Sequence, residues 1–252
     1  MNAEAFKYWR LCAWSGPIFL VGFIFFWGVL GSNIPPVSPA WTQSDLAAHY
    51  LRNANSLRAG FVVSMTIAVF YMIWSVGIYN VMQRMEDGNH VLSQLELLGG
   101  SLTIIFLTMA CSFWLTAAFR PDRDPGILQM LYDVGWLTMD CAFFITTVQM
   151  IAMSVLFLSD ERDVPLVPKW FCWYAIWVAF IFFTELIMPY FKTGLFAWDG
   201  LVNYWVGFLA WFVWIIGQSY YTFAAISRLE QESSTDQVFA GRHGTSAVLP
   251  AA

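Results

Sequence analysis

The chain reads as an all-α, polytopic transmembrane bundle of six spans, with a short amphipathic helix in the first outer loop. Three observations lead there. Hydrophobic residues make up 59 % of the 252 residues and charged ones only 12 %, against about 45–50 % and about 25 % in soluble domains. Six stretches are long and apolar enough to cross ~30 Å of hydrocarbon, and aromatic rings gather at several of their ends, where amphipathic side chains favour the headgroup level. A water-facing surface needs charge to stay dispersed, so this composition excludes a soluble globular enzyme and a disordered chain. The net charge of −5 excludes a nucleic-acid binder. Lipid is the solvent that remains.

The first span covers residues 11–30 and ends at Gly31-Ser32-Asn33, before Pro35, Pro36 and Pro39, which cannot continue a helix. Its aromatic content and the lack of a prompt small-x-small pattern predict a retained span rather than a cleaved signal peptide. In the following loop, Ser44 to Leu51 reads as a capped segment in which Leu46, His49 and Tyr50, with Asn53 just beyond, share one side. It predicts an amphipathic helix lying over the bundle mouth. Span two runs from 59 to 82, uncharged between Arg58 and Arg84, and span three from 97 to 119. Asp124 as N-cap and Pro125 at the first helical position open the fourth, 126–158. The fifth covers 170–190 and the sixth 201–227. Residues 1–229 thus form one membrane domain, and 230–252, rich in Ser, Thr, Gln, Gly and Ala, predict a disordered tail.

Flanking charge sets the expected orientation. With the N-terminus inside, Lys7, Arg10, Arg84, Arg162, Lys169, Arg228 and Arg242 are cytoplasmic, against Arg52, Arg58, Arg120, Arg123 and Lys192 opposite. Both termini are expected inside. Tyr8, Trp9, Trp14, Trp170, Trp173, Tyr174, Trp198, Tyr204 and Trp205 read as interfacial belts. Cys12, Cys111, Cys141 and Cys172 lie in apolar runs without CxxC spacing and read as buried thiols, not as metal ligands or disulfides.

Chemistry in such a chain must come from polar residues inside the spans. An ionisable side chain there costs about 2.5–3.5 kcal/mol on insertion scales, and so needs a partner, a water cavity or a function. Asp133, Asp140 and Glu185 qualify. At 1.5 Å per residue, Asp133 and Glu185 fall about 9 Å and about 8 Å below the same membrane face, with Asp140 deeper on nearly the same side of its helix. Arg58 and Arg120 end spans at that face and can reach inward. Two readings follow: an ion-pair network that fixes helix register, or an outward-open polar pocket. Thr138, Thr146, Thr147 and Gln149 make the fourth span the most polar, though such groups commonly bond within or between helices. Gln218 and Ser219 read as packing contacts, Gly99-Gly100-Ser101 as a close helix crossing, and Trp211-Phe212-Val213-Trp214 as an aromatic stripe facing lipid.

His49, His90 and His243 all fall outside the spans, and HExxH, GxSxG and Walker motifs are missing. No cofactor, metal or catalytic residue is therefore expected, and an acid–base enzyme acting on lipids is a third, disfavoured reading.

Asp45-Leu46-Ala47-Ala48, Asn53, Leu57-Arg58-Ala59-Gly60-Phe61, Leu131-Tyr132-Asp133-Val134-Gly135 and Pro168-Lys169-Trp170 stand at the entries of successive elements. In these the chain resembles an uncharacterised bacterial family of six-helix integral membrane proteins, a domain of unknown function, over residues 8–228. The resemblance implies six helices and a bacterial inner membrane, and carries over no site residues. The expectation is a membrane protein that binds or transports a small lipophilic or amphipathic solute through Asp133, Glu185, Arg58, Arg120 and Asp140. The alternative is a non-catalytic scaffold or accessory subunit whose carboxylates pair with arginines. Expected partners are membrane lipids, such a solute, and other membrane proteins or a second copy; nucleic acid is not among them.

Overall fold

The computed structural model describes residues 3–244 except residue 87. All described secondary structure is helical, and six helices are long and apolar enough to cross a membrane. The protein is a multi-pass membrane bundle, and an even number of crossings puts both ends of the described chain on one face, here called the terminal face.

Helix α1 (Ala3–Gly22) continues through a wider π-helical segment, Phe23–Leu30, before the proline-rich loop. Helix α2 (Gln43–Gln83) corrects the first expectation. The amphipathic segment is not a separate lid but the opening turns of the second span. Nothing between Leu51 and Ala59 breaks a helix, since neither Gly nor Pro occurs there. Thr42 caps the start, its hydroxyl oxygen accepting from the Asp45 N–H at 3.2 Å. Leu46, Tyr50 and Leu57 then face the core. At 41 residues, α2 is ~60 Å long, about twice the hydrocarbon thickness, and so projects well beyond it.

Helix α3 (Val91–Phe119) begins six residues ahead of the expected boundary and draws Ser93 and Glu96 into the bundle. The fourth span starts as expected, with Asp124 accepting from the N–H groups of Gly126 and Ile127. It is then divided by a turn at Phe144–Ile145 into α4 (Pro125–Phe143) and α5 (Thr146–Leu158). Helix α6 (Lys169–Ile181) tightens into 3₁₀ turns at Phe182–Leu186 and Met188–Tyr190. The last span opens with a π-helical segment, Leu201–Val206, and becomes α7 (Gly207–Gly244). Helix α7 runs through positions where composition predicts a disordered tail. Leu229 is buried and Glu230 pairs with Arg10 of α1 at 2.5 Å, which extends the helix past the hydrophobic stretch. Residues 245–252 of that tail lie outside the described residues.

Helix α2 packs on α1 and α3, α3 on α4 and α5, α5 on α6, and α7 closes against α1 and α6. The core is aromatic. Phe23 and Trp27 stack at 4.5 Å, Trp27 stacks on Phe208 at 5.3 Å, and Trp136 on Trp198 at 5.9 Å. Two belt expectations need correction. Trp198 and Tyr204 are buried, because the indole N–H of Trp198 donates to the Val37 carbonyl and the Tyr204 hydroxyl donates to that of Asn33. Trp211 and Trp214 likewise turn inward, leaving Val213 on the outside. Tyr8, Trp14, Trp170 and Trp173 are exposed, as a belt requires. All four cysteines are free, two of them fully buried.

Candidate functional site

The interruptions in the spans bring together two buried carboxyl groups. Asp140 sits near the end of α4, Glu185 in the 3₁₀ turn after α6, and Asn203 in the π-helical segment before α7. Their exposures are 3 %, 4 % and 2 %. The Asn203 amide N–H donates to Asp140 Oδ2 at 3.2 Å, and the Thr184 hydroxyl donates to Asn203 Oδ1 at 3.5 Å. The thiol of Cys141, the residue after Asp140, reaches the Glu185 backbone carbonyl at 4.0 Å, which sets Glu185 alongside Asp140, near enough for their charges to repel. Its Oε2 has no hydrogen-bond partner in the protein. Irregular turns like these recur at functional sites because they free backbone groups and re-aim side chains.

Asp133 stands elsewhere. Seven residues before Asp140, and so about 10 Å further along the same helix, it is half-buried in a cavity of about 120 Å³ on the face opposite the termini. Gln129 and Lys192 share the cavity, whose apolar walls include Met188, Phe191 and Trp198. Asp133 and Lys192 face the same space without forming an ion pair. Asp133 and Glu185 were expected to line one pocket, but Glu185 does not reach this one. The 3₁₀ turns displace it toward Asp140 instead.

The two arginines do not act as counter-ions. Arg58 donates from Nε to the Ala118 carbonyl at 2.9 Å and from Nη2 to that of Phe119 at 3.3 Å. It thereby caps α3, where a cation complements the helix dipole and satisfies orphan carbonyls. Arg120 is exposed, with its guanidinium 5.8 Å from the Phe119 ring centroid. Among the described residues the ion pairs are Arg10–Glu230 and Arg162–Asp160, neither involving Asp133, Asp140 or Glu185. Replacing Arg58 with alanine should therefore lower stability by about 1 kcal/mol through the lost cap. SDS unfolding in mixed micelles measures it, and a loss-free variant would contradict the capping role.

Neither a family model, nor a curated protein, nor a solved structure matches the chain.

A second polar centre lies between α2, α3 and α5. The Gln149 amide nitrogen donates to Ser75 Oγ and to Glu96 Oε1, each at 2.8 Å, while its oxygen accepts from the Tyr71 hydroxyl at 2.7 Å. Glu96 is fully buried, and its Oε2 has no partner. Thr103 and Thr146 hydrogen-bond beside it at 2.8 Å. Gly99 permits the crossing, for a Cβ built there would stand 2.7 Å from the Gln149 backbone nitrogen. Glu96 stands one residue outside the apolar run that begins at Leu97, because its own charge sets that boundary. A finer signal was present. Ser93, Glu96, Gly100 and Thr103 recur at helical spacing on one face of α3.

Proposed function

We propose that the protein is a bacterial plasma-membrane protein, with both termini cytoplasmic, that binds and moves a small amphipathic solute from the face opposite its termini. One observation carries the reading: a concave site holds an acid, a base and an amide against aromatic and aliphatic walls, with acid and base unpaired. Opposite charges left apart over a shared cavity are suited to a ligand that bridges them, whereas a scaffold would gain most from closing the pair. Pockets of this make-up, apolar with a few placed polar groups, are the usual binding sites. The volume of about 120 Å³ is somewhat less than the ~150 Å³ that holds benzene. A solute of about six heavy atoms, or one such end of a longer molecule, would fit. The positive-inside bias and the family resemblance support the membrane and the orientation.

Butyrate, butylamine and γ-aminobutyrate test the site as probes on the purified protein in detergent. At least one should raise Tm. Asp133→Asn should remove the response to an amine, and Lys192→Gln the response to a carboxylate, with the unliganded Tm unchanged in both. If no probe shifts the wild-type protein, or if the variants merely unfold it, the scaffold reading takes over.

A further inference from the structure

We propose that Asp140 and Glu185 form a buried proton-binding site in which Glu185 carries one exchangeable proton. Two neighbouring carboxyl groups in a dry, helical interior cannot both hold a negative charge without a compensating proton or cation. No lysine, arginine or histidine among the described residues faces them. The titratable groups that do are Cys141 of α4 and Tyr204 of the segment before α7, and neither supplies positive charge.

The two acids are not equivalent. Asp140 accepts an amide N–H from Asn203, a bond that favours the carboxylate. Glu185 Oε2 is buried and receives no donor, so an added proton there removes a charge and costs no existing bond. In the loading step an O–H bond of hydronium breaks, the proton joins Glu185 Oε2, water departs, and Asp140 stays ionised. A metal ion fits less well. Hard cations take about six oxygen ligands, whereas only two carboxylates meet here, the Asn203 amide presenting its N–H to Asp140 and its oxygen to Thr184, and the described residues contain no metal-holding group of three His, Cys, Asp or Glu. The Asp133 cavity lies about two helical turns along α4 from Asp140. A proton held directly beneath a solute pocket is the arrangement that couples solute movement to a proton gradient. That coupling role rests on the solute-binding reading above; proton occupancy does not.

Infrared spectroscopy of the lipid-reconstituted protein reads the site without any solute. The measurements use a Glu96→Gln background, which removes the other buried carboxyl that lacks an ion pair; the fourth, Asp160, is paired as a carboxylate with Arg162. A protonated-carboxyl C=O band should be present at neutral pH, shift in deuterium oxide, and vanish on alkalinisation. It should be lost in Glu185→Gln and retained in Asp140→Asn. If Glu185→Gln does not fold, the unaltered pair still decides the matter: absence of the band at neutral pH, or its removal by sodium chloride but not by choline chloride, overturns the proposal. Persistence of the band in a folded Glu185→Gln protein overturns it as well. A normal band with no solute response would sink only the solute-binding reading.

Discussion

Trp27→Ala should destabilise the bundle by about 3–5 kcal/mol, the range for truncating a large buried aromatic. Trp27 is completely buried where the end of the first span meets α3, α4 and α7. Its ring stacks on Phe23 within 7° of parallel and on Phe208 within 24°, and it meets Trp136 edge-on at 6.0 Å. Inside a membrane, helices gain no hydrophobic free energy by leaving lipid for one another, so dispersion contacts of this kind must hold them. The indole nitrogen of Trp27 has no partner. Trp27→Phe therefore removes ring area without removing a hydrogen bond, and should cost less than half as much. SDS titration in mixed micelles compares the two, and equal losses would show that the stack contributes little.

Gln149→Leu should cost about 2–3 kcal/mol, and through a different mechanism. The substitution nearly preserves volume but strips partners from Tyr71, Ser75 and Glu96 at once. Interhelical hydrogen bonds in membranes average about 0.6 kcal/mol each, so three account for about 2 kcal/mol. The desolvated groups left behind add to that. Glu96→Gln keeps an acceptor for the Gln149 amide and should be nearly neutral. In a double-mutant cycle, Glu96→Leu and Gln149→Leu together should cost clearly less than the sum of the two single changes. Strict additivity would mean that the 2.8 Å contact carries no energy.

Much of this protein was legible before any coordinates. Six apolar runs, the proline stop after Leu30 and the Asp124-Pro125 start are local signals, and each holds. What failed did so for reasons of neighbourhood. The segment 44–51 has the same amphipathic pattern whether it ends at Leu51 or flows into the next span, and periodicity alone cannot choose. Trp198 and Tyr204 have the composition of interfacial anchors, but carbonyls of the loop after the first span claim both polar ends. Arg58 looked like a counter-ion because it stands at the right depth; the end of α3 offered it two carbonyls instead.

The candidate site divides in the same way. Insertion cost flagged Asp133, Asp140 and Glu185 from the sequence, and depth arithmetic put Asp133 and Glu185 together. Depth assumes uniform α-helix. Two 3₁₀ turns and a π-helical segment change the rise and rotation per residue, so Glu185 comes alongside Asp140, which Asn203 holds, and Asp133 is left facing Lys192. The chain's own chemistry therefore determined the solvent, the number of crossings and which acids had to be accommodated, because transfer free energy is summed residue by residue. Which acid faces which partner was decided by helix irregularities and side-chain packing among distant segments, which no local pattern encodes.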